Sequence, residues 1–110
     1  MKSTIRLFAI ISIFAIAIAI VIPVSAAVDG AATFKSKCAM CHGADATGKT
    51  PMGARLNIRD LTSPEVQKQS DDELTAVITK GRNKMPAFSG KVSTDETTGL
   101  VKYIRTLAKK

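Results

Sequence analysis

Both cysteines of this chain and its single histidine fall within five residues, Cys38-Ala39-Met40-Cys41-His42. That spacing restricts what can be built around them. A zinc site takes four ligands, and two Cys with one His cannot complete a soft-donor set. A thioredoxin-like redox pair follows a strand within a βαβ unit, and no strand pattern leads into Cys38. A disulfide between the two would be strained and would close almost no loop, so it would stabilise little. C-x-x-C-H is instead the attachment pattern of c-type haem. Two thiols form thioethers with the two porphyrin vinyl groups, and the adjacent His42 brings an imidazole nitrogen to the iron from the same side.

The first quarter of the chain has a different character. Lys2 and Arg6 give a positive start, Leu7 to Ile22 is apolar except for Ser12, and Pro23 precedes the small residues Val24-Ser25-Ala26-Ala27. This is the layout of a secretory signal peptide, so residues 1–26 are read as a leader and 27–110 as one domain. The rival reading is an uncleaved anchor, because the apolar run is just short of the ~20 residues that span a membrane. No twin-arginine pattern is present, which favours the general secretory route. Export would carry Cys38 and Cys41 into an oxidising compartment, where a free pair does not persist. Loss of Lys2 and Arg6 lowers the formal charge from +7 to +5. A domain this small, with one Tyr and no Trp, usually needs a metal, disulfide or cofactor to complete its core.

Local signals within the domain are helical. Asp29 can cap a helix running to Lys37, with Ala31, Phe34 and Cys38 on one face. Ser63-Pro64-Glu65 opens a short helix. Ser70-Asp71-Asp72-Glu73 and Ser93-Thr94-Asp95-Glu96 are capping boxes. The first leads into Leu74, Val77 and Ile78 with Gly81 as its stop, the second into Leu100, Tyr103, Ile104 and Leu107 at helical spacing. Gly43 to Thr62 holds Gly43, Gly48, Pro51 and Gly53 without a sustained period and reads as an irregular loop whose Met52, Leu56, Ile58 and Leu61 need something to cover. No segment alternates at period two. The expectation is an all-α fold of three to four helices with long loops wrapped around one haem.

A low-spin haem iron needs a second axial ligand, and the only histidine is already used. Methionine is the remaining soft donor. Met1 leaves with the leader, Met40 is inside the attachment loop, and Met52 lies close behind His42 on the same side. Met85 lies beyond a helix that can cross to the opposite face, with Gly81 ending that helix and Pro86 holding Met85 extended. His42 and Met85 are therefore the candidate metal ligands, and Cys38, Cys41, His42 and Met85 the candidate cofactor-binding set.

These residues resemble class I cytochromes c, particularly the small bacterial ones, from about Asp29 to Leu107. Gly30 and Phe34 look like the small residue and aromatic of the family's N-terminal helix, and Leu100-Val101-Lys102-Tyr103-Ile104-Arg105 like its C-terminal helix. Lys80-Gly81-Arg82-Asn83-Lys84-Met85-Pro86-Ala87-Phe88 is similar to its methionine loop. The resemblance implies the cytochrome c fold, with Phe34 and Tyr103 paired where two helices cross, and Met85 on the iron. It also implies that the Pro51 carbonyl accepts a hydrogen bond from the ligand histidine's other nitrogen, and it makes Arg55, Asn57 and Arg59 candidates for the haem propionates. In that family the haem edge emerges between the attachment motif and the methionine loop. Here Lys35, Lys37 and Lys49 flank the first, and Lys80, Arg82, Lys84 and Lys91 the second.

A haem with two strong axial ligands has no open site for substrate, which points to a one-electron carrier and not an enzyme. The expected protein is a periplasmic shuttle carrying one haem c, with redox partner proteins that present an acidic docking surface, no nucleic acid and no small-molecule substrate. Membrane association would come only through redox complexes or an uncleaved leader anchored by residues 7–22. A haem c subunit of a larger oxidoreductase is the alternative, and a haem sensor or peroxidase with a weakly held Met85 is a third.

Overall fold

Helix caps set the architecture of the computed structural model, which describes residues 27–109. The leader proposed for residues 1–26 lies outside them. The Asp29 carboxylate accepts from the backbone N–H groups of Ala31 and Ala32 at 3.0 and 3.2 Å, satisfying two orphan donors at the start of α1, Gly30–Lys37. Its buried face is Gly30, Thr33 and Phe34, while Ala31 is exposed. One helical turn, α2 (Ala39–His42), follows at once. Then come α3 (Pro51–Leu56), α4 (Pro64–Gln67), α5 (Asp71–Lys80) and α6 (Thr94–Thr106). Both capping boxes form: Ser70 N–H donates to Glu73 at 2.7 Å and Ser93 N–H to Glu96 at 2.7 Å, with the reciprocal hydroxyl bonds at 3.1 Å.

The helix α3 corrects the expectation of an irregular loop through Thr62. Thr50 caps it by accepting from Gly53 N–H at 2.8 Å, Pro51 occupies its first turn, and Asn57 ends it in a left-handed conformation with φ 54°. Six residues are too few to display a hydrophobic period, so only the cap and the proline could have revealed it.

α1 and α6 cross at backbone contact. A Cβ on Gly30 would stand 2.0 Å from the Gly99 carbonyl oxygen, so only glycine permits the approach. Beside the crossing, the Phe34 and Tyr103 rings meet at 5.4 Å, tilted 54°, a favoured aromatic arrangement. Phe34 and Leu100 are the largest fully buried side chains, and Val66, Leu74, Ile78, Val101 and Ile104 complete the centre of the core. Polar bonds bind the shorter elements to α6. The Gln67 amide donates to the carbonyls of Leu61 and Ile104 at 2.8 and 2.9 Å, and the Arg105 guanidinium reaches Asp71 and the carbonyls of Gln67 and Gln69. No strand forms among the described residues beyond two isolated bridges. No helix among them is long and apolar enough to cross a membrane.

Candidate functional site

The single turn α2 gathers the motif. His42 and Cys41 N–H groups donate to the Cys38 carbonyl at 2.9 and 3.2 Å, and Gly43, with φ 82°, closes the turn by donating to Ala39 at 2.8 Å. Residues three and four apart share a helix face, so Cys38, Cys41 and His42 are delivered together. Neighbouring chain fixes this turn from outside. The Thr50 hydroxyl donates to the Cys41 carbonyl at 2.9 Å and Gly48 N–H to the His42 carbonyl at 2.7 Å. Gly53 packs so closely that a Cβ there would stand 2.0 Å from Gly48 O and 2.9 Å from Cys41 O.

Burial shapes the chemistry of these groups. It lowers the His42 pKa, favouring the neutral ring whose lone pair can bind a metal. Cys38 is pushed up to about 11, first by burial and then by Cys41, with Lys37 opposing. Both cysteines are unpaired half-buried thiols. The His42 ring also touches Phe34, at 6.3 Å between centroids.

Met85 comes from a separate segment. α5 stops at Gly81, and Arg82 and Met85 then exchange backbone hydrogen bonds of 3.1 and 2.9 Å. Phe88 and Ser89 N–H groups donate back to Ile78 and Thr79 at 3.0 and 3.1 Å, tying the loop to α5.

Between the two segments lies a cavity of about 500 Å³, a volume suited to a cofactor. Cys38, Cys41, His42 and Met85 all line it. Its walls are largely apolar, with Leu56, Ile58, Leu61, Leu74, Val77 and Phe88 among the lining residues. A smaller crevice of about 60 Å³ extends toward Phe34 and Leu100. Met52 does not line the cavity and is exposed, whereas Met40 stands at its mouth with 78% of its surface in solvent. The residues present therefore fit a haem held through two thiols, one buried neutral imidazole and an apolar enclosure.

A protein-family profile described as "Cytochrome C oxidase, cbb3-type, subunit III" matches residues 25–104. The chain is 30% identical over 82 residues to a cytochrome c6 of Microcystis aeruginosa, covering 74% of this chain and 98% of that one. It is 32% identical over 75 residues to a cytochrome c6 of Bryopsis maxima, covering 68% and 84%. The solved structure of the KustC0563 c-type cytochrome superposes with a TM-score of 0.69 at 31% identity, over 74% of this chain and all of that one. The chain belongs to the class I c-type cytochromes. It is an all-α electron-transfer protein with one covalently bound haem c.

Within this cytochrome the cations near the motifs separate into two groups. Lys37, Arg59, Arg82 and Lys84 line the cavity; Lys35, Lys49, Lys80 and Lys91 do not. Of the propionate candidates, Asn57 and Arg59 lie on its wall and Arg55 does not. The expected hydrogen bond from His42 to the Pro51 carbonyl is absent. His42 Nδ1 is the buried side-chain nitrogen without a partner among the described residues, and Pro51 opens α3, which directs its carbonyl along that helix. Thr50, Gly53 and the Arg82–Met85 pair were not singled out by sequence reasoning for these contacts. The Thr50-Pro51 cap signature was the available signal.

Proposed function

We propose that this cytochrome is an exported, freely diffusing electron shuttle whose haem is bound through Cys38 and Cys41, with His42 and Met85 as the axial ligands. The observation that carries the reading is the shared cavity: four residues from two separate segments line one apolar space of cofactor size. Haem bound there supplies the one-electron Fe(III)/Fe(II) couple. The neutral imidazole of His42 is ready to donate, and the soft thioether of Met85 favours Fe(II), which raises the potential. Leu74, Val77 and Phe88 line the same space with apolar side chains, which would keep water from a bound haem. If His42 and Met85 both held the iron, no coordination site would be left for a substrate, which supports a carrier and not an enzyme. Replacing Met85 with Ala should abolish the methionine-to-iron charge-transfer band and increase affinity for exogenous ligands, while Met52→Ala leaves both unchanged. The opposite pattern would reverse the ligand assignment.

Lys37, Arg82 and Lys84 along the cavity, where Arg59 is already paired with Glu65 at 3.2 Å, support an acidic docking surface on the redox partner, since positive charge lining an opening steers opposite charge toward it. Electron-transfer rate should fall steeply with salt, because screening acts over about 10 Å at 0.1 M. Lys84→Glu should slow it more than Lys102→Glu, which makes the same charge change on the exposed face of α6. Equal effects would leave that charge without a role. The leader supports a periplasmic location, with mature chains beginning at Ala27 or Val28 by mass spectrometry; full-length protein held in membranes would make the shuttle an anchored one. A subunit role is the second reading, favoured by the oxidase-subunit description of the matching profile. Co-purification with a larger enzyme would select it.

A further inference from the structure

Met85 reaches the cavity from a hairpin with almost no support of its own. Arg82 and Met85 form an isolated antiparallel bridge, bonded at 3.1 and 2.9 Å, and only Asn83 and Lys84 connect them. The two-residue connections that match the twist of such a pair take positive φ at the first central residue or at both. Asn83 supplies it, with φ 51°. Among residues with a Cβ, asparagine tolerates this region best. On the other side of Arg82, Gly81 has φ 75°, and a Cβ there would stand 2.6 Å from Met85 O and 2.9 Å from Ala87 N. Two left-handed residues thus bracket Arg82 and press the Met85 backbone into one register. A slip of one residue would turn the thioether away, because successive side chains point to opposite faces.

We infer that Asn83 is a positioning residue for Met85: its left-handed backbone closes the Arg82–Met85 hairpin and so holds the thioether in the haem cavity. The inference rests on Met85 being the axial ligand. Asn83 makes no side-chain hydrogen bond among the described residues, yet it lines the cavity, so a side-chain role is the competing explanation. Glycine and alanine separate the two. Both remove the amide, but only glycine adopts positive φ without steric cost.

The experiment uses the haem-loaded protein and three variants, Asn83→Gly, Asn83→Ala and Met85→Ala. Its readouts are the charge-transfer band, the affinity for added imidazole and the urea midpoint. Asn83→Gly should keep the band and hold imidazole affinity within about twofold, whereas Asn83→Ala should weaken the band and bind imidazole roughly fivefold more tightly. Equal loss in both Asn83 variants would overturn the inference in favour of the side chain. So would an Asn83→Ala protein whose urea midpoint drops while band and imidazole affinity stay unchanged, since that is a structural role alone. If Met85→Ala keeps the band, the ligand assignment fails and the inference with it; if Met85→Ala loses the band but Asn83→Ala does not, only the inference fails.

Discussion

The two sides of the haem cavity are built in different ways. On the histidine side, a helical turn carries its own backbone ladder, and the carbonyls of both Cys41 and His42 accept a further bond from Thr50 and Gly48. On the methionine side, Met85 depends on one pair of backbone bonds and on two left-handed residues, with the nearest anchorage at Phe88 and Ser89. Segments with few hydrogen bonds and contacts open first. The protein should therefore release its methionine side under mild stress while the histidine side stays folded, and the charge-transfer band should vanish at a lower urea concentration than the helical signal.

Gly53→Ala should break this contrast most strongly. The new Cβ would fall against backbone at Gly48 O and Cys41 O, neither of which can swing aside, so stability should drop by about 3 kcal/mol in urea titration. A loss below about 0.5 kcal/mol would mean the histidine side is looser than its contacts imply. Gly81→Ala tests the other side, where positive φ and contact with Met85 O act together. We expect about 2 kcal/mol of global destabilisation, with the band lost well before the helices melt. Simultaneous loss of both signals would show that the two sides unfold as one unit.

Thr50→Val keeps the shape of the side chain but removes its hydroxyl, leaving the Cys41 carbonyl and Gly53 N–H without that partner. The expected cost is about 1.5 kcal/mol, with Thr50→Ser recovering most of it. If valine were neutral, the Thr50 bridge would not be what stiffens the attachment turn.

The smallest effect concerns acid. Asp60 sits in the loop that leads from α3, and its carboxyl is lowered to about 2, first by the Lys109 ammonium at 2.8 Å and then by Thr62. Because the folded-state pKa is depressed, the stabilisation is present above the ordinary value of 3.8 and is lost as pH falls toward about 2. Asp60→Asn should remove that part of the acid dependence by lowering stability modestly at neutral pH while leaving it unchanged near pH 2, the loss being small because the Lys109 partner is solvent-exposed and screened. A wild-type and variant pair with parallel acid titrations would show that Lys109 contributes no linkage.

The features legible in the sequence were those that a few adjacent residues determine. The C-x-x-C-H run fits on one helical turn, Asp29, Ser63, Ser70 and Ser93 cap the helices they precede, and the spacing from Leu100 to Ile104 faces the core. Local hydrogen bonding and side-chain period fix such elements wherever the chain goes next. Other features came from contacts between distant segments. Tertiary packing brought Met85, already singled out by its place between Gly81 and Pro86, to the cavity, drew Arg59 and Lys84 to the same opening as Lys37, and left His42 Nδ1 unpaired where Pro51 was expected. It also set the left-handed turn at Asn83, whose necessity is visible only once Arg82 and Met85 are seen to pair. The physical reason is range: caps and periods act within one or two turns of chain, whereas a cavity has walls from segments some forty residues apart, and only their packing decides which side chains share it.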